Sequence, residues 1–463
     1  MAASRKTLPN KAVDRVVAAA LARHVVPRAR LVLGLSGGLD SVVLLHVLLA
    51  LRDQHPFELQ AVHVHHGLSP HADDWADFCA RLCASHAVEL SVHRVRIARD
   101  DAAGIEAAAR RERQHIFAAL DADFLLTAHQ QNDQAETLLL QLLRGAGPKG
   151  LASMAELQRR PGWQAAQLRP MLDVKRSDLL EYAQAHGLDW VDDESNQDTR
   201  YRRNALRQQV MPLLAAHFPG SSATLARAAA LQAEAAELLD ELARLDALDA
   251  IEGERLDCRV LARLSLPRAR NLLRHFLEQQ GQPMPNAHQL NEALHQLLDA
   301  KDDARVCVRL GRMEVWRFRG GAYLAPLPPA VADPVRWQGE ASVWVPAAGV
   351  NVQMDAVSGA GLKREALIAG EVTLGVRQGG ERLRLHAGGP HRSLKNLLQE
   401  HAIPPWLRDR LPLLWCNGRL AWAAGIGLDA DLCAAPGEAG VLPRVADSPS
   451  ARQAGVRRAI LAG

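Results

Sequence analysis

The stretch Ser36-Gly37-Gly38-Leu39-Asp40-Ser41 brings two hydroxyls, two glycines and one carboxylate together. Glycine lets backbone N–H groups approach an anion closely, and hydroxyls donate to phosphate oxygens. A Walker A loop would carry a Lys before its Ser or Thr; none stands here. The segment therefore suits a nucleotide held without that lysine. Asp40 repels phosphate, so it calls for a cation, either Mg²⁺ or a substrate ammonium group. An ordinary strand-to-helix turn would explain the glycines but not both hydroxyls with Asp40.

A second cluster is Ala128-His129-Gln130-Gln131-Asn132-Asp133-Gln134-Ala135-Glu136-Thr137. Asp133 and Glu136 are spaced to share one helix face near its N-terminus. The favourable dipole at a helix start accounts for one of these acids; two acids with His129 point to chemistry. Asp133 suits a Mg²⁺ site shared with Asp40, or a cationic substrate. Glu136 suits binding or deprotonation of an attacking amine. A third stretch, Trp190 through Arg207, passes abruptly from acids and amides to arginines. On a helix Arg200, Arg203 and Arg207 share a face, as do Asn196 and Arg200. Clustered guanidiniums fit phosphates of ATP or RNA; a solvated charged face is the plainer alternative.

The elements around these clusters alternate. Strands are expected at Arg30–Leu35, Glu58–His65, Glu89–Val95 and Asp123–Thr127, with helices near Lys11–Arg23, Ser41–Leu51, Ala72–Ser85, Ile105–Leu120 and Asp133–Leu143. Such alternation predicts an α/β fold with a parallel sheet covered on both faces. Ligands bind outside the carboxyl ends of such strands, where Ser36–Ser41, His63–Gly67 and His129–Glu136 all fall. Residues 1–217 are read as this catalytic domain and 218–325 as a mainly helical domain. The latter has helices at Ser221–Leu248, Leu261–Gln279 and Asn286–Asp299, then short strands Val306–Leu310 and Met313–Phe318. Residues 326–370 read as a linker and an unassigned segment, 371–446 as a small α+β C-terminal domain with a helix at Ser393–His401, and 447–463 as a tail.

The 463 residues carry a net charge of +3, which permits a nucleic-acid partner without requiring one. Six cysteines are scattered with no C-x-x-C pair. That argues against a zinc ribbon, a redox motif or a disulfide-linked partner. Cys79 and Cys83 read as small residues on one helix face. Charged residues or glycine interrupt every apolar stretch, so the expectation is a cytoplasmic protein without a membrane span.

The residues carry a resemblance. Ser36–Ser41 resembles the signature of the PP-loop ATP pyrophosphatase superfamily. With His63-Val64-His65-His66-Gly67-Leu68, Glu106 to Arg113, His129 to Leu151 and Asp192 to Arg207, the chain is similar to the bacterial tRNA(Ile)-lysidine synthetases. Asn132 stands where many members carry Asp, and Gln114 replaces a frequent Tyr. The likeness extends over Leu266–Arg274, Val376–Leu383, Ser393–Leu398 and Pro404–Pro412, and is weakest in Ala325–Ala369 and the tail. It implies a PP-loop catalytic domain in which ATP, with Mg²⁺, adenylates O2 of the wobble cytidine of an isoleucine tRNA. The ε-amine of L-lysine then attacks C2 and expels AMP. It implies Asp40, Asp133, Glu136 and Arg203 as catalytic, with Asp40 and Asp133 on the metal. Ser36, Gly37, Gly38, Leu39, Asp40, Ser41, His65 and Arg113 would hold ATP. Asn196, Arg200, Asn204, Arg207, Arg274, Arg392, Lys395, Trp406 and Arg408 would hold tRNA or lysine. Trp406 is offered for stacking, against a plainer place in the core.

Three rivals remain at this point: a PP-loop tRNA thiolase, disfavoured by the missing C-x-x-C; an ammonia-using amide ligase, which would need no basic C-terminal unit; and a non-catalytic RNA-binding protein, disfavoured by the intact Ser36, Asp40, Ser41 and Asp133.

Overall fold

The computed structural model describes residues 10–97, 101, 104–194, 198–282, 284–300, 306–327 and 332–446. The chain divides into two compact units, residues 1–238 and 239–463.

In the first unit the elements run α1 (Asn10–His24), β1 (Arg30–Gly34), α2 (Leu39–Leu51), β2 (Glu58–His65), α3 (Ala72–Ser85), β3 (Glu89–Arg94), α4 (Ile105–Ala118), β4 (Phe124–Leu126), α5 (Gln131–Leu142), α6 (Pro148–Leu151), β5 (Leu157–Gln158), β6 (Ala166–Leu168) and α7 (Arg176–His186). They build one sheet of order β3-β2-β1-β4-β6-β5, parallel except for β5. Leu31, Val32 and Leu33 of β1 are all buried, because helices cover both faces and a continuous apolar run is then required. β1 pairs with β2 on one side and β4 on the other. The chain therefore reverses direction across the sheet at β1, and the β1 and β4 carboxyl ends open into the crevice where α/β sheets bind ligands.

The four expected strands are present to within two residues of their expected ends. β5 and β6 were not anticipated. β6 is three residues long and wholly buried, too short for a period to show. It is held by its pairing with β4 and by the Thr127 N–H donating to the Leu168 carbonyl at 3.0 Å.

After α7 the chain reaches a compound helix: α8 (Arg202–Ala205), a π-turn at Leu206–Val210, and α9 (Met211–His217). The Met211 N–H donates to the Leu206 carbonyl, the wider π spacing. Pro212 has no N–H and its ring crowds the preceding turn, so a widened turn just before it relieves the conflict. α10 follows at Ser221–Ala250, and the division between the units falls within it.

In the second unit, helices Cys258–Arg263, Leu266–Gln279 and Ala287–Asp299 pack on a five-stranded antiparallel sheet that includes Val306–Leu310, Met313–Phe318 and Gly321–Pro326. The single helix expected at Leu261–Gln279 is two, broken at Leu264-Ser265, where Ser265 and Pro267 start the second. Part of 326–370, read as a linker and an unassigned segment, is folded. Strands Ser342–Val345 and Val350–Ser358 and helix Arg364–Ala369 share one core with Val372–Gly375, Leu413–Cys416 and Arg419–Ala423. Val350, Val352 and Met354 alternate inward there, a period-2 pattern that the surrounding Gly and Ala obscured. The expected tail, 447–463, lies outside the described residues.

Candidate active site

The loop after β1 is shaped by one glycine. Gly37 has φ of +86°, and a Cβ there would lie 2.9 Å from Val191 Cγ2 and 3.1 Å from Cys79 Sγ. Its carbonyl accepts the Val191 N–H at 3.0 Å. Only glycine meets both demands. At Gly38 a Cβ would make only ordinary contacts, with Ser36 Oγ at 3.6 Å and the Val191 carbonyl oxygen at 3.8 Å. Ser36 Oγ accepts the Gly38 N–H at 3.3 Å, Ser41 Oγ donates to the Gly38 carbonyl at 2.9 Å, and the two hydroxyls are 3.1 Å apart. Both hydroxyls thus border the N-terminus of α2.

Asp40 sits in the first turn of α2. Burial, reinforced by the charge of Asp133, pushes its carboxyl up to about 6, while Arg176 and Arg207 pull the other way. Its Oδ1 is buried without a hydrogen-bond partner; Arg176 Nη1 stands 3.9 Å away, beyond hydrogen-bond range.

Asp133 and Glu136 occupy one face at the start of α5, as expected, and both are buried. Their partners are the arginines of the compound helix. Arg203 donates to Glu136 Oε2 and Asp133 Oδ1, both at 2.9 Å. Arg207 donates to Glu136 Oε1 at 2.7 Å and to Asp133 Oδ1 and Glu136 Oε2 at 3.0 Å. The remaining oxygen, Asp133 Oδ2, accepts the Gln130 N–H at 3.0 Å and closes the start of α5. Two carboxylates and two guanidiniums thus form a closed quartet.

Asp40 and Asp133 were expected to share Mg²⁺; both Asp133 oxygens accept hydrogen bonds from this chain, whereas Asp40 keeps an unpartnered oxygen. Among the described residues no group of three or more His, Cys, Asp or Glu is placed to hold a metal ion. Mg²⁺ commonly takes one or two carboxylates together with substrate phosphates, and the unpartnered Asp40 oxygen fits that pattern.

Histidines line the strand ends. His129 follows β4; its Nδ1 lies 3.0 Å from Thr127 Oγ1. Burial, then the charges of Arg169, Arg203, Arg113 and Arg110, push it down to about 3. Burial and Arg113 push His66 down to about 4. Both are neutral at pH 7, which keeps the positive potential of this end from rising further. Arg113 on α4 thus lies near the strand ends. His65 differs: its Nε2 is 3.3 Å from Asp73 and 3.4 Å from Arg94, so it serves α3 and β3.

Other expected site residues scatter. Asn196 lies outside the described residues. Arg200 does not share a face with Arg203 and Arg207, because the helix begins only at Arg202; Arg200 is exposed and forks onto Asp198 at 2.7–3.1 Å. Asn204 Nδ2 donates to the Asp198 carbonyl at 3.0 Å. In the second unit Arg274 is half-buried on Leu266–Gln279, Arg392 pairs with Glu400, and Arg408 Nε donates to the Ile403 carbonyl at 2.8 Å. Lys395 is exposed. Trp406 is a packing residue instead of an open stacking platform: its ring lies 5.0 Å from Tyr323, 6.0 Å from Phe318 and 6.1 Å from Trp316. Sequence reasoning missed Arg176, which faces Asp40 from the start of α7; no spacing in the chain marks it.

Comparison with known proteins bears on the same regions. A family model for a PP-loop domain matches residues 9–214, one for a TilS substrate binding domain matches 256–323, and one for a TilS substrate C-terminal domain matches 372–445. A tRNA(Ile)-lysidine synthase of Azoarcus sp. (strain BH72) is 45% identical over 434 residues, covering 93% of this chain and 95% of that protein. One of Nitrosomonas europaea is 42% identical, covering 91% and 93%. The chain belongs to the tRNA(Ile)-lysidine synthase family. A solved U34-tRNA thiolase, NcsA from Methanococcus maripaludis, is 20% identical with a TM-score of 0.42, covering 48% of this chain and 79% of that one.

Membership makes the chain an enzyme of this type with a PP-loop ATP-binding domain, and it removes the thiolase reading. The cysteines agree. Burial pushes the Cys79 and Cys83 thiols up to about 12 and about 11, so neither is a thiolate at neutral pH. No helix among the described residues is long and apolar enough to cross a membrane.

Proposed function

We propose that the chain ligates L-lysine to the wobble cytidine of an isoleucine tRNA, forming lysidine with release of AMP and pyrophosphate. The observation that carries this reading is the juxtaposition, at one end of one sheet, of a phosphate-type loop and a buried carboxylate pair on the adjacent helix start. The names of the curated relatives support it.

The roles follow from the groups. Backbone N–H groups at Gly37 and Gly38 and the Ser36 and Ser41 hydroxyls hold phosphate oxygens, with the α2 N-terminus behind them. Asp40 would hold Mg²⁺, whose charge would offset that of the triphosphate. O2 of the cytidine displaces pyrophosphate from the α-phosphorus, and the arginines stabilise the charge that develops there. Asp133 and Glu136 receive the cationic amine of lysine; Glu136 takes the proton that the amine loses before it attacks C2 and expels AMP. Lys395, Arg274, Arg392 and Arg408 supply cations for the RNA backbone.

The test is transfer of labelled L-lysine to tRNA bearing a cytidine wobble base, in the presence of ATP. Transfer that requires all three components supports the reading. ATP consumption without RNA, or no label in RNA beside an active control enzyme, would overturn it.

A further inference from the structure

The quartet poses a problem for a lysine site. A carboxylate pair meant to receive a substrate amine is already saturated by five hydrogen bonds from this chain's own Arg203 and Arg207. The carboxylates lie deep: the Glu136 side chain is 2% exposed and that of Asp133 11%. The arginines are outermost, at 29% and 34%. The two guanidiniums cover the pair from the solvent side. They also occupy it with the charge and donor type that an alkylammonium would bring.

We infer that Arg203 and Arg207 act as a built-in stand-in for lysine, closing the amine site until the phosphates of bound ATP draw them away. The inference rests on the proposed role of Asp133 and Glu136. Charge explains the order of events. The quartet is balanced, two positive groups against two negative. Adding a lysine cation to it leaves an uncompensated positive charge in a partly buried place, which is costly. A triphosphate at the loop changes the balance. The two guanidiniums are the more exposed members of the quartet, so phosphate oxygens can reach them without first disturbing the carboxylates. Guanidiniums form forked bonds with phosphate oxygens as readily as with carboxylates. Once they turn to phosphate, the carboxylates need a cation again, and the ammonium group of lysine supplies it. Each site then prepares the other, and the coupling is reciprocal. The compound helix suits such a movement, since α8 is short and the π-turn follows it directly.

The experiment is calorimetric titration of the full chain with L-lysine, with and without Mg²⁺ and α,β-methylene-ATP, which does not split between its α- and β-phosphates. Wild type should bind lysine about tenfold or more tightly with the analogue, the factor expected when the open arrangement is a minor species without it. Arg207→Gln should bind lysine more tightly than wild type without the analogue and should lose most of the enhancement. Equal lysine affinity in wild type with and without the analogue would overturn the inference, and needs no variant. So would a full enhancement retained in Arg207→Gln. Glu136→Gln separates the two levels of argument. If lysine binding in the presence of the analogue is unchanged in that variant, the amine-receptor role itself fails; if it is lost while wild type shows no enhancement, the receptor stands and only the closure fails.

Discussion

The loop at Ser36–Ser41 and the quartet on α5 are neighbours in the fold and opposites in their bonding. In the loop, Asp40 keeps a buried oxygen without a partner, and its carboxyl is pushed up to about 6. In the quartet every carboxylate oxygen accepts at least one hydrogen bond. The loop is thus poised at a cost in stability, and ligand binding relieves it. The quartet is stable as it stands, and a ligand must compete for it. On the proposed roles, the polyanion enters a prepared place and the lysine cation a contested one.

The largest test of this contrast is Asp40→Ala. It should reduce tRNA-dependent ATP–pyrophosphate exchange by about 10²–10³-fold, while Tm at pH 7 stays at or above the wild-type value, because a buried charge has been removed. A Tm loss as large as that of a quartet variant would erase the distinction. Gly37→Ala comes next. The left-handed φ and the contact with Val191 cost about 1–3 kcal/mol, and displacement of the loop lowers exchange by about 10²-fold, read from urea unfolding and the exchange assay together. Glu136→Gln should act first on stability. It leaves two guanidiniums facing one carboxylate, at a cost of about 1–3 kcal/mol, seen as a lowered urea midpoint with an unchanged m value.

The most diagnostic effect is in pH. The folded protein holds the Asp40 proton more tightly than the unfolded chain does. Stability therefore falls as pH rises from 3.8 to about 6 and levels off above. The span is up to about 3 kcal/mol, and Asp40→Asn should flatten it. Affinity for Mg²⁺ and the ATP analogue should run the opposite way, weakening as pH drops below about 6.

The sequence made the prepared place more legible than the contested one. Leu31–Leu35 ending in Ser-Gly-Gly is local information, and a strand, a turn and a helix follow from adjacent residues. Asp133 and Glu136 were legible as a pair for the same reason. Their closure by Arg203 and Arg207 was not, since it joins positions about seventy residues apart and depends on where a helix begins. That start, at Arg202, also explains why Arg200 parted from the other two arginines. Trp406 was ambiguous because a tryptophan after two prolines looks alike whether it meets RNA or, as here, three aromatics from a strand pair some eighty residues earlier. β6 and the strands of 342–358 were hidden by brevity and by small residues.

The π-turn at Leu206–Val210 has a consequence for how this chain can vary. Leu206 and Met211 both pack with Ala135 of α5, although five positions separate them, while Arg203 and Arg207 must still point at the carboxylates. The extra residue works like a spacer in a gear train, setting the phase between a polar ratchet and an apolar anchor. Gln208 and Gln209 are exposed, and exchanging either for another polar residue leaves that phase alone. Deleting either one puts Leu206 and Met211 at ordinary α-helical spacing, and the widened turn that relieves Pro212 is lost. A point-mutation survey would therefore score Gln209 as permissive, and a single-codon deletion there would be costly because it brings the proline conflict back.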